Sequence, residues 1–280
     1  MRKLYHFIIP LLIINIMSCA SEEITLMSYN IRYDNLHDEK NSWLKRKDEV
    51  VGIFQKYSPS FIGTQEGLKH QIKYINGLLK RYDYIGVGRD DGKSKGEFCA
   101  IYYDSSQYEL IKQATFWLSS NPLEISVGWD AALERICTYG YFEQKFSKQR
   151  IWIFNTHFDH IGRISREESS KLILDQINKL NGFSEPTVVM GDFNDLPNSL
   201  TIKTIIKKLD DAMKINLVDH IGPIGTFNGF NVSDPIEKRI DYIFVKKMEI
   251  LSHQHLDLRL RNGNHISDHL PVIIKAKVGK

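Results

Sequence analysis

Six short segments of this chain share one property: an apolar, strand-like run ends in ionisable or amide side chains. They are Met27-Ser28-Tyr29-Asn30-Ile31-Arg32, Thr64-Gln65-Glu66, Asn155-Thr156-His157-Phe158-Asp159-His160, Gly191-Asp192-Phe193-Asn194, Arg239-Ile240-Asp241-Tyr242-Ile243-Phe244 and Ser267-Asp268-His269. Residues i and i+2 of a strand share a face. Asp192 and Asn194 are therefore expected to point one way, as are Asn155, His157 and Asp159. A chain that repeats this pattern gathers polar side chains at one edge of a sheet.

Between these segments the chain alternates strand and helix patterns to its end, with no internal repeat and no Pro/Ser-rich linker. Ile24–Asn30 alternates like a half-buried strand. Trp43, Lys47, Val50, Val51, Phe54 and Tyr57 fall on one helical face, which Ser58-Pro59 ends. Leu68, Ile72, Ile75, Leu78 and Leu79 mark a second helix. Ser165-Arg166-Glu167-Glu168 reads as a capping box opening a third, carrying Leu172, Ile173, Ile177 and Leu180. Thr187–Met190 is apolar throughout and so expected to be covered on both faces. Ile240–Val245 and Val272–Ala276 are the last clear strands. Many strands with interspersed helices argue for α/β layers. The helix-free stretch Tyr84–Phe146 argues for largely antiparallel pairing.

The first residues stand apart. Arg2 and Lys3 precede an apolar run from Leu4 to Met17, shorter than the ~18 residues a spanning helix needs. Basic start, short apolar core and small residue at the break read as a secretory signal over residues 1–18. Cys19 directly after Ser18 is similar to a bacterial lipobox, which would make it the lipidated N-terminus. A plain cleaved signal is the alternative, with Met17 the unusual residue in the box. Residues 19–23 then form a short tether and 24–280 one domain. The expected location is a bacterial envelope, at the periplasmic face or the surface of the outer membrane.

The formal net charge is +3, and it falls to +1 once Arg2 and Lys3 leave with the signal. That weakens the case for a dedicated nucleic-acid binder, whose phosphate contacts need clustered Lys and Arg. Cys99 and Cys137 lie in strand-like runs and read as free buried thiols, although an exported protein permits a disulfide between them. Zinc held by thiolates is disfavoured by so few cysteines and no CxxC pair.

The six segments carry the residue types that phosphate-ester hydrolysis needs. Carboxylate oxygens suit Mg²⁺, with Mn²⁺ as a substitute. The cation neutralises phosphate charge. A base must deprotonate water, and an imidazole must be held in one tautomer. In order and spacing the six segments resemble the endonuclease/exonuclease/phosphatase superfamily, with its DNase I-like fold. The resemblance spans about residues 24–277. It implies a two-sheet α/β sandwich of mixed, largely antiparallel sheets flanked by helices. It implies Glu66 as main metal ligand with Asn30 and Asp268 beside it, and Asp192 orienting or deprotonating water. Asn194 and His157 would contact the scissile phosphate, and His269 paired with Asp241 would be the catalytic imidazole. Asp192 and His269 both remain candidates for the formal base.

Further motifs resemble a bacterial branch of that superfamily: Gly86–Gly92, Gly96-Glu97-Phe98, Phe116–Ser119, Gly128–Ala132 and Thr226–Phe230. Arg89, Glu97, Trp129 and Asp130 in these motifs, with His160 just past the Asn155-Thr156-His157 segment and Arg163 beyond it, are candidates for a substrate pocket. His6, His37, His70, His220, His253 and His255 read as surface or satisfied core residues, and Trp43 and Trp152 as core. The expected activity is an Mg²⁺-dependent phosphoesterase acting on a phosphorylated small sugar, inositol or glycan. A nucleic-acid phosphodiesterase is the main alternative. A sphingomyelinase-like lipid phosphodiesterase and a non-catalytic binding module follow.

Overall fold

The computed structural model describes residues 23–215 and 219–279; the expected signal and Cys19 lie outside them. In chain order the elements are β1 (Glu23–Asn30), α1 (Trp43–Tyr57), β2 (Phe61–Gly67), α2 (Lys69–Leu78), β3 (Tyr82–Ile85), β4 (Phe98–Asp104) and β5 (Tyr108–Trp117). Then follow β6 (Ile136–Gln144), β7 (Arg150–His157), α3 (Arg163–Asn181), β8 (Thr187–Asp192), α4 (Leu200–Ile205) and β9 (Asp210–Asp211). The last are β10 (His220–Ile221), β11 (Asp241–Lys246), β12 (Met248–His255) and β13 (Val272–Val278).

Two sheets pack face to face. One runs β10-β12-β13-β1-β2-β4-β3 and the other β5-β6-β7-β8-β11-β9. Most pairs are antiparallel; β1–β2, β7–β8 and β10–β12 are parallel. Leu26, Phe61, Ile101, Ile153, Val188, Met190, Ile243 and Ile274 fill the space between the sheets. Met27, Tyr29, Val50, Phe54, Ile72 and Ile75 form a second core beneath α1 and α2. Phe154, Ile173, Ile177, Val189 and Ile202 form a third beneath α3 and α4. This is the α/β sandwich with outer helices that the sequence suggested.

The layering explains one departure. β1 is not half-buried: its solvent-side residues Met27 and Tyr29 lie under helices, so both faces are covered. A second concerns α3. It starts at Arg163, so Ser165 sits inside the first turn and is no cap. The orphan amides that open a helix are met from outside it. Asp130 accepts from Ile164 N and Ser165 N, at 3.1 and 2.6 Å, and Asp159 accepts from Ile161 N and Gly162 N.

A polar seam joins the sheets beneath their common edge. The Asn155 amide donates to Thr64 O and Ala100 O at 2.9 and 2.8 Å, and accepts from Gln65 Nε2 at 2.6 Å. Gly63 makes room for it: a Cβ there would lie 2.8 Å from Asn155 Oδ1. Cys99 and Cys137 are buried, unlinked thiols, and Trp43 and Trp152 are core residues.

Candidate active site

The strand ends converge on one edge because of their register. β7 runs parallel to β8, placing His157 opposite Asp192; β11 runs antiparallel to β8, placing Asp241 opposite Asp192 from the other side. In the other sheet Asn30 pairs with Gln65, beside Glu66. The segment before β13 brings Asp268 and His269 to the same place, and Ser267 Oγ donates to Asn30 O at 2.8 Å. Each sheet supplies half of the floor of one cleft.

His269 and Asp241 form the buried pair expected from the sequence, Nδ1 to Oδ2 at 2.9 Å. His269 Nε2 lies 3.7 Å from Asp192 Oδ2. Burial alone would lower the imidazole's pKa, but Asp241 and Asp192 outweigh it and hold the pKa well above the ordinary value. Burial and then Asp241 push the Asp192 carboxyl up to about 7, against the pull of His269. Asp192 Oδ1 accepts from Asn194 N at 2.9 Å. Asn194 adopts φ +48, which turns its amide onto His157 Nε2 and Phe158 O, both at 3.1 Å. Burial, Arg135 and Arg89 hold His157 far below its ordinary pKa, so it is neutral and its Nε2 accepts from that amide.

Asn30 lies beside Glu66, as expected. Its Oδ1 accepts from Arg32 N at 3.0 Å, so its Nδ2 faces the carboxylates, 2.9 Å from Glu66 Oε1 and 3.0 Å from Asp192 Oδ2. In this orientation it links the two carboxylates. Glu66, at φ +65, also accepts from Tyr33 N at 3.2 Å. Arg32 forks onto Asp38 at 3.0 Å and stands 3.9 and 3.7 Å from Glu66 and Asp268. Burial, and after it the charge of Glu66, raise the Asp268 carboxyl's pKa despite His269 and Arg32. Glu66, Asp192, Asp241 and Asp268 are thus crowded acids with no thiolate among them. A hard divalent cation relieves such crowding. Glu66, His157 and Asp192 also bring ligand atoms within 4.8 Å of one another. The residues fit a divalent metal.

The family resemblance can now be tested against known proteins. The profile of the Endonuclease/Exonuclease/phosphatase family matches residues 27–269. The chain belongs to this family. Among solved structures, an endonuclease/exonuclease/phosphatase from Bacteroides vulgatus is 35% identical, with a TM-score of 0.87 over 92% of this chain and 99% of that one. A mannosyl-6-phosphatase from Bacteroides thetaiotaomicron is also 35% identical, with a TM-score of 0.85 over 90% and 99%. A protein of Acanthamoeba polyphaga mimivirus is 27% identical across 83% of this chain and 91% of its own length. As a member of the endonuclease/exonuclease/phosphatase family, the protein is a metal-dependent phosphoester hydrolase.

The wall of the family cleft matches the sequence expectation only in part. Arg89, Glu97 and His160 border it. Arg89 forks onto Glu97 at 2.7 and 3.0 Å, and burial, then Glu66, push the Glu97 carboxyl up to about 7 against Arg89. Trp129, Asp130 and Arg163 are not part of it. Trp129, at φ +51, is turned outward and 41% exposed. Asp130 caps α3, and Arg163 pairs along that helix with Glu167. Sequence reasoning missed Arg135, and it gave no site role to Arg32, Tyr33, Leu133 or Phe227, which also line the cleft. Arg135 is buried, bonds Asp159 Oδ2 at 3.2 Å and His160 Nδ1 at 2.9 Å, and lines the cleft. Its signal was present: a lone Arg opening an apolar strand, like the six floor segments turned end for end. The cleft is about 430 Å³. A larger hollow of about 730 Å³ beside α4 and β9 is lined by Ile202, Leu209 and Met248 with Asp211 and Lys214; it contains no part of the acid–imidazole set.

Proposed function

We propose that the protein hydrolyses a phosphomonoester of a small sugar or glycan, with Mg²⁺ as the metal. The observation that carries this reading is Arg135. Its Nη1 is buried in the wall without a hydrogen-bond partner among the described residues. A buried donor without a partner is costly, and a phosphate oxygen is a suitable acceptor for a guanidinium. With Arg32, it gives a confined cleft two cations for a dianionic group. The likeness to a mannosyl-6-phosphatase supports a phosphorylated sugar.

Glu66 and Asp268 would hold the cation, which when bound neutralises phosphate charge and stabilises the developing oxyanion. The protein's own groups do the rest. Asn30 fixes Glu66 and Asp192 relative to one another. His269 is kept as an imidazolium by Asp241 and Asp192, so it acts as a fixed positive donor toward the phosphate. The role of base then falls to Asp192, which accepts the proton of the attacking water. Asn194 fixes neutral His157 through its amide, and the His157 Nδ1–H, without a partner among the described residues, is left to meet a phosphate oxygen. We further propose that the chain is exported and anchored through Cys19; loss of lipid labelling in Cys19→Ser, with turnover unchanged, is the expected result.

A substrate panel tests the reading: hexose 6-phosphates, inositol phosphates, bis-p-nitrophenyl phosphate and single-stranded oligonucleotides, each with Mg²⁺ and with EDTA. The sugar monoesters should have the highest kcat/KM. A faster reaction on oligonucleotides, falling steeply with salt, would replace this reading with a nuclease.

A further inference from the structure

Three histidines outside the cleft form a second cluster that neither the fold nor the hydrolysis accounts for. His253 and His255 share one face of β12, and His220 stands opposite His253 in the parallel pairing of β10 with β12. Their ring centroids are 4.5–5.1 Å apart. One nitrogen from each ring can be chosen so that all three lie within 4.8 Å of one another. His253 and His255 are 1% and 2% exposed.

The rings are held from behind. Pro223 O accepts from His220 Nε2 at 2.9 Å and from His255 Nδ1 at 2.8 Å. Gly222 makes this approach possible: it holds φ +104, and a Cβ there would lie 2.1 Å from His255 O. A carbonyl taking one ring N–H leaves the other nitrogen with a lone pair, the arrangement that orients metal-binding imidazoles. Of the two lone pairs so left, on His220 Nδ1 and His255 Nε2, the second is buried with no hydrogen-bond partner among the described residues. His220 Nδ1 and His253 Nδ1 face each other at 3.0 Å, a contact that needs either one shared proton or a cation. A tetrahedral ion about 2.0–2.1 Å from each nitrogen would part them by about 3.4 Å, a few tenths of an ångström from where they stand.

We propose that His220, His253 and His255 bind a transition-metal dication of the Zn²⁺ class, separate from the metal of the active site. Burial, with the other imidazoles and Arg239 nearby, pushes the His253 pKa down to about 2; burial likewise takes His255 to about 3. Both rings are therefore neutral, the form that ligates. The all-imidazole set selects against Mg²⁺, as the carboxylate floor selects for it. The ion would clasp β10 and β12, at one side of their sheet, to the turn leading to Phe227, whose ring packs 5.1 Å from that of His269.

The test uses the mature protein, stripped of metal and dialysed against limiting Zn²⁺ in a large excess of Mg²⁺. About one Zn²⁺ should be retained per chain, and Co²⁺ in its place should give the visible absorption of a nitrogen-bound tetrahedral ion. His255→Gln should weaken Zn²⁺ retention at least roughly 10-fold with Mg²⁺-supported turnover unchanged. The half-buried His220→Asn provides the same readout if His255→Gln does not fold. Glu66→Gln should retain Zn²⁺ normally. Failure to retain Zn²⁺ under Mg²⁺ excess, retention undiminished in His220→Asn, or retention lost in Glu66→Gln would each overturn the proposal.

Discussion

On the floor of the cleft every polar side chain is tied to a strand end or the segment beside it, and each has a protein partner, although Asp241 Oδ1 and His157 Nδ1 have none among the described residues. On the wall the groups come from loops, and Arg135 keeps a donor for something else. The floor is thus rigid before substrate arrives, with Asn30 joining Glu66 to Asp192 and Asp241 fixing His269. Chemistry that depends on preorganised charge belongs there. We propose that substrate choice is made on the wall, where Arg89, Glu97 and Arg135 stand beside His157 of the floor.

The comparison can be broken at four points, in falling order of effect. Chelation should abolish turnover altogether, with Mg²⁺ or Mn²⁺ restoring it; full activity after exhaustive EDTA treatment would remove the metal from the floor. His269→Gln should lower kcat roughly 10²-fold or more. Gln is preferred to Ala because truncation would strand the buried Asp241 carboxylate, costing about 3–5 kcal/mol of stability. A double variant with Asp241→Asn should be little worse than the worse single, because the two act as a unit; additive losses would show separate roles. On the wall, Arg135→Gln should reduce kcat/KM for a sugar phosphate roughly 10-fold, mainly through KM, the scale of one charged hydrogen bond. An equal fall in kcat would move Arg135 to the floor. Asp130→Ala should lower stability slightly by uncapping α3, read as a fall in the denaturant midpoint, with kcat/KM unaltered. Lost activity in that variant would return Asp130 to the pocket.

Floor and wall also differed in how readable they were. A strand-end residue carries its position locally: His157 and Asp192 follow apolar runs whose period and length can be seen in the sequence. Arg135 becomes a wall residue only because the start of β6 lies beside the end of β7, with Cys137 opposite Thr156. That pairing is invisible in one segment alone. Asp130 misled for a similar reason, since the helix it caps begins more than thirty residues later. Strands at or near the sheet edges hid too. β5 is exposed along most of its length, and β12 carries a bulge between Ile250 and Ser252 that breaks its alternation. The histidines of β12 were accordingly read as ordinary packing, without the neighbour on β10 that gives them another meaning.

The seam at Asn155 has a consequence in time. It ties Gln65 to Asn155, ninety positions apart, while the floor above it joins Asn30 to Asp192 and packs His269 against both. Contacts so distant along the chain close late, because loop-closure entropy must be overcome first. No fragment ending before His269 holds a complete floor. In a refolding experiment, turnover should therefore be the last signal to return, after helix content and buried-tryptophan fluorescence. The enzyme's own reaction would serve as the clock for the final docking of its two sheets.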